Sequence, residues 1–228
     1  KGILSLFLIW VAGVGVMFAL QNGVPMRLAA SNDGMNARNI RRDSANVWAL
    51  WTQLKVQQEL SEGKRLKDLP REWFQPQAPL GNDLVWSQET IGFQQMLDEG
   101  QYAKALETGV ALLPRLRQSP LLSFVVRGDL IFLNLILKDQ GQEKALALMG
   151  KDYQKLSKKL SAMVNTLPNM IRTEYAKAVL LEKDMQRADK LKKQFEKAAV
   201  RYPYPSEILG ERDMMAAVDA ATLRDKET

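Results

Sequence analysis

The stretch that decides the fold is Gly2 to Asp33, GILSLFLIWVAGVGVMFALQNGVPMRLAASND. From Gly2 to Leu20 no residue carries a charge. At 1.5 Å per residue those positions cover roughly the ~30 Å of a bilayer core. Leu, Ile, Val and Phe dominate the run, and each favours insertion by about 0.3–0.6 kcal/mol at a helix centre. The segment 1–20 therefore reads as a transmembrane helix. A secretory signal peptide is the competing reading, since Lys1 and the small residues Ala29, Ala30 and Ser31 offer a basic start and a cleavage-like end. Against it, the apolar run is too long, and Arg27 stands between the run and the supposed cleavage site. Basic residues set the orientation. Lys1 stands alone before the span while Arg27, Arg38, Arg41 and Arg42 follow it, so the positive-inside rule places the remainder in the cytoplasm of a cell-membrane protein.

Composition narrows the chemistry. There is no cysteine, which removes disulfides and thiolate catalysis. There is no histidine either, so an HExxH zinc site, a Ser-His-Asp triad or a Cys-His pair cannot be built from this chain alone. No GxxxxGK[ST] or GxGxxG loop is present. The net charge of +6 does not point to nucleic acid. Lys and Arg are interleaved with Asp and Glu as on solvated helix faces, and an anionic inner leaflet accounts for the basic excess.

Working outward from the span, residues 21–43 read as a polar loop in which Asn32-Asp33-Gly34 invites a tight turn. Residues 44–82 read as an amphipathic helix and a proline-rich connector. Ser44 is the expected cap, Gly63 the expected stop, and Val47, Leu50, Trp51 and Leu54 form one apolar face. Trp48 and Trp51 suit either the headgroup level or, better, packing into a neighbouring domain.

Residues 83–223 read as helical hairpins: 84–99 with 102–116, 121–138 with 142–160, and 167–182 with 185–201, followed by a last helix after Pro205. The corners share a pattern ending in Ala105, Ala145 and Ala188, spaced 40 and 43 residues apart. Small residues at such corners let paired helices approach, as in tetratricopeptide repeats, although the period exceeds their ~34 residues. The fold class expected is all-α: one transmembrane helix, then a tetratricopeptide-like cytoplasmic domain, with an irregular bundle as the alternative. Residues 224–228 are a polar tail. The run 130–137 is apolar nearly all round and reads as a central buried helix. The lysine-rich face of 190–197 suits solvent or an acidic partner.

By itself Asp33 is a turn residue. The run LQNGVPMRLAASNDGMN, Leu20 to Asn36, however, resembles the second motif of the site-2 protease family of intramembrane zinc metalloproteases. In that family an Asn-x-x-Pro is followed after a short stretch by Asp-Gly, and the resemblance implies Asp33 as a zinc ligand, with Asn22 and Pro25 positioning the loop or substrate. EGKRLKDLPREWF (62–74), RTEYAKAVLLEKD (172–184) and FEKAAVRYPYPSEILGERDMM (195–215) look like the cytoplasmic C-terminal region of Firmicutes members. Two departures stand out. Asn32 occupies a position that is apolar in the usual pattern, and the family's HExxH has no counterpart here. The resemblance places the HExxH upstream of Lys1, so the chain is expected to be a C-terminal portion that is inert alone. In the complete enzyme it implies that zinc activates water to cleave a peptide bond in or beside the membrane. From a different class, the alternative is a membrane-anchored helical-repeat scaffold that binds a protein or peptide partner.

Overall fold

The computed structural model describes residues 2–26, 31–137 and 141–224, and among them every regular element is helical. Helix α1 (Gly2–Gly23) has no buried residue. Its 22 residues give about 33 Å of length. A helix apolar on every side, without a buried residue and meeting α2 at its C-terminal end, fits lipid far better than water, and it is a candidate membrane span. Arg27, on which the orientation partly rests, lies outside the described residues, as does the tail beyond 224.

After the span come α2 (Asp33–Arg42) and α3 (Ser44–Ser61). The segment expected as a loop over 21–43 is thus helical at both ends. The tight turn expected at Asn32-Asp33-Gly34 is instead the start of α2, because the Asn32 side chain accepts a hydrogen bond from the Met35 amide and caps the new helix. Asp43, not Ser44, caps α3 through the Ala45 amide, at 2.8 Å. Gly63 follows the end of α3 with a φ of +91°. The connector then forms two short 3-10 turns, Leu66–Asp68 and Arg71–Phe74. Trp48 stacks on Trp51 at 4.7 Å, and Trp51 meets Trp73 edge-on at 5.4 Å. The tryptophans therefore pack on each other and on the connector, with Trp51 still 40% exposed.

The remaining helices are α4 (Asp83–Asp98), α5 (Tyr102–Leu112), α6 (Pro120–Leu137), α7 (Gly141–Leu148), α8 (Lys151–Lys159), α9 (Ser161–Thr166), α10 (Pro168–Ala176), α11 (Met185–Arg201) and α12 (Pro205–Arg224). The drawn hairpins correspond to these elements with breaks. The expected helix 102–116 passes into a 3-10 turn, Leu113–Gln118, where Pro114 lacks the N–H an α-helix would use. The expected 142–160 helix is divided between α7 and α8 by Gly150. Helix α10 continues as a π-turn, Lys177–Glu182.

Helix α6 is long and apolar enough to be a second span, yet most of it is buried within the domain. It packs against α5, α7 and α10. Phe93, Phe124, Phe132 and Phe195 all lie in this core, each contributing about 1.5–3 kcal/mol of transfer free energy. Ala105, Ala145 and Ala188, the corner alanines, are all buried. Successive helices α4, α5 and α6 pack in order, while α12 returns across α10, α4 and α3.

Candidate functional site

Asn32 joins the end of α1 to the start of α2. Its Nδ2 donates to the carbonyls of Gln21 and Val24, both at 2.6 Å, at the end of α1. Its Oδ1 accepts from the amides of Met26 and Met35, both at 3.0 Å. Two donors and two acceptor positions are thereby all used, which is the full capacity of a carboxamide. One side chain closes the end of α1 and opens α2.

Around that hub the three residues singled out by the motif come together. Asn22 lies in the last turn of α1 and Pro25 just beyond it, where the chain leaves the helix. Pro25 has no N–H to extend the α1 ladder. Gly34 is held so close to α1 that a Cβ would stand 2.4 Å from the Gly23 carbonyl oxygen and 3.0 Å from that of Asn22. A side chain there would force the two helices apart. Asp33 sits between the hub and this contact, exposed in the first turn of α2. Its carboxylate makes no ion pair or hydrogen bond among the described residues, and its place at a helix N-terminus favours negative charge.

The loop is also tied to the helical domain. The amide of Ser31 donates to the Asp83 carboxylate at 2.9 Å and its hydroxyl bonds the same oxygen. Asn46 donates to the Asn39 carbonyl and accepts from Asn82, both at 2.8 Å. The starts of α3 and α4 thus grip the Asp33 segment.

The donor set answers the question of zinc. Among the described residues no three Asp, Glu, His or Cys side chains gather into a group that could hold a metal. A catalytic zinc needs three protein ligands, and the chain offers one candidate, so these residues do not form a complete zinc site.

A second polar centre lies inside the domain. Arg172, 1% exposed, donates from Nη2 to Asp129 Oδ1 at 2.5 Å and from Nε to Glu211 Oε2 at 2.9 Å, with its guanidinium 4.2 Å above the Phe132 ring. Burial pushes the Asp129 and Glu211 carboxyls upward against the pull of Arg172, Glu211 to about 7. Sequence reading missed both Asn32 as hub and this triad. An Asn directly before Asp-Gly and a helical pattern is a recognisable N-cap, but nothing local pairs Arg172 with residues about forty positions away. Comparison with protein-family models, curated proteins and solved structures finds no match to this chain.

Proposed function

We propose that the chain is the C-terminal portion of a site-2 protease-like intramembrane zinc metalloprotease, to which it contributes Asp33 as one zinc ligand and a cytoplasmic helical domain. The observation that supports this is the close packing of the Asp33-Gly34 start of α2 on the Asn22 and Gly23 carbonyls at the end of α1, secured by Asn32 even though that residue departs from the family pattern. This packing holds a carboxylate that makes no ion pair or hydrogen bond among the described residues at the start of α2, close to the end of α1 where Asn22 lies in the last turn and Pro25 just beyond it. The remaining ligands and the general base are histidines and a glutamate from outside this chain, which has no histidine. The chain's own part is positional: Asn32 and Gly34 fix where Asp33 stands, and Ser31 with Asp83 links that position to the helical domain.

Metal analysis of the whole gene product, purified in detergent, tests this by comparing wild type with Asp33→Ala. About one zinc per chain, lost or weakened in the variant, is expected. Equal zinc in both, or none in either, overturns the assignment. The isolated 228-residue chain is expected to show no zinc-dependent peptide cleavage.

A second reading is a membrane-anchored scaffold. It is favoured by Asp33 and Gly34 having structural work of their own, one as a charge at a helix N-terminus and the other as a close helix contact. On that reading the helical domain binds a protein or peptide and Asp33→Ala leaves metal content unchanged.

A further inference from the structure

Helices α4, α6, α10 and α12 enclose a cavity of about 230 Å³. Four carboxylates line it, Asp98, Asp129, Glu207 and Glu211, against one cation, Arg172. Arg65 engages Asp98 at 2.6 Å. Three carboxylates are left to share a single guanidinium. Among the described residues the Glu207 carboxylate accepts a side-chain hydrogen bond from the Tyr202 hydroxyl alone, at 2.6 Å.

The triad also leaves two polar atoms unmet. Among the described residues Arg172 Nη1 has no acceptor and Asp129 Oδ2 no hydrogen-bond donor in full geometry, although both side chains are 1% exposed and line the cavity. Gln94 approaches Asp129 as a side-chain hydrogen-bond donor and lowers its carboxyl, although no donor meets Oδ2 in full bonding geometry among the described residues. Unmet buried polar atoms are costly and rare in native structures. A group that completes this site must present a donor and an acceptor side by side and carry positive charge. A carboxylate would satisfy Nη1 but add to the surplus of negative charge. A lysine side chain would bring charge and donors but nothing for Nη1. The α-ammonium of a peptide, followed two bonds later by its first carbonyl, brings all three.

We propose that this cavity captures the free N-terminus of a peptide, its ammonium on Asp129 and Glu211 and its first carbonyl on Arg172 Nη1. The apolar walls, Leu97, Val125, Leu167 and Met214, suit a small apolar first side chain. Burial raises Asp129, Glu207 and Glu211 together, a tension that an incoming cation relieves. The inference uses no residue of the Asp33 loop and stands or falls apart from the zinc assignment.

The test is calorimetric titration of the full chain in detergent at neutral pH with the amidated peptide Ala-Leu-Ala-Gly, its N-acetylated twin, and Nα-acetyl-lysine amide. Saturable binding of the free-amine peptide is expected, with the acetylated twin and the lysine amide each at least about tenfold weaker. Glu211→Gln, which keeps shape and removes charge, is expected to weaken binding about tenfold with an unchanged circular dichroism spectrum. Should that variant unfold, Glu207→Gln at the same cavity serves with the same expectation. Equal binding of the free and acetylated peptides, equal binding of the lysine amide, or no binding of any probe at millimolar concentration overturns the proposal.

Discussion

The two polar centres of this molecule are built in opposite ways. Between α1 and α2, Asn32 is only partly buried, yet every hydrogen-bonding position it has is filled by backbone of α1, of α2 and of the chain just after α1. Inside the domain, Arg172 and Asp129 are almost wholly buried, and each leaves one polar atom unmet. A saturated side chain is a lock: it fixes geometry and has nothing left to offer a ligand. An unsaturated pair in a low-dielectric interior is under tension, and a suitable partner would be rewarded there. Under the two proposals, position is set at the start of α2, where the Asp33 carboxylate is unengaged among the described residues, and recognition falls to the helical domain.

The comparison can be broken most forcefully at Arg172. Removing one partner of a buried pair strands the others, so Arg172→Ala is expected to cost about 3–5 kcal/mol in urea unfolding of the helical domain. A loss below about 1 kcal/mol would mean that the triad is solvated rather than buried. A similar but slightly smaller effect is expected from acidity. Burial raises Glu211 from 4.5 to about 7 in the folded chain, so the folded state holds this proton more tightly than the unfolded one. Its contribution is complete below about pH 4.5 and is lost as pH rises through about 7, up to about 3 kcal/mol in all. Stability measured against pH should fall across that window, and Glu211→Gln should flatten the fall. An identical profile in the variant would contradict the burial of that carboxyl.

At the loop the expected effects are local. Asn32→Ala removes a helix cap and two bonds to the end of α1, which should lower protection of α2 against hydrogen exchange by about 1–2 kcal/mol while leaving α6 unchanged. Uniform loss across both helices would show that the lock is part of the global fold instead. The smallest effect belongs to the exposed pair Arg212 and Glu196, 2.7 Å apart with both side chains about half exposed. Arg212→Gln should change stability by less than about 0.5 kcal/mol.

Much of the architecture was legible because it depends on patterns that repeat along the chain. An uncharged apolar run announces a candidate span whatever follows it, and the spacing of apolar side chains marks the helices after it, although on α3 the expected face is exposed at Val47, Trp51 and Leu54 while Ala45, Ala49, Val56 and Leu60 are buried. The corner alanines were readable for the same reason: Ala105, Ala145 and Ala188 are small where neighbouring helices approach, and all three are buried. Boundaries were less legible. Residues 33–42 were read as loop because their composition is polar and rich in asparagine and arginine, while the helix owes its start to one cap, Asn32. The breaks at Pro114 and Gly150 interrupt helices whose apolar spacing continues across them.

From the order of residues alone follow an all-helical chain with a candidate membrane span, the lack of any histidine or cysteine chemistry, and the placing of Asn22, Pro25 and Asp33 in one short segment. Only the tertiary structure decided which polar groups meet. Asn32 bonds residues up to 11 positions away, Ser31 reaches Asp83 across 52, and Arg172 finds Asp129 across 43 and Glu211 across 39. Helix and span signals are local and periodic, so the order of residues carries them. Hydrogen bonds and ion pairs between distant helices depend on how those helices pack, and packing is set by the summed burial of many apolar side chains rather than by any one stretch.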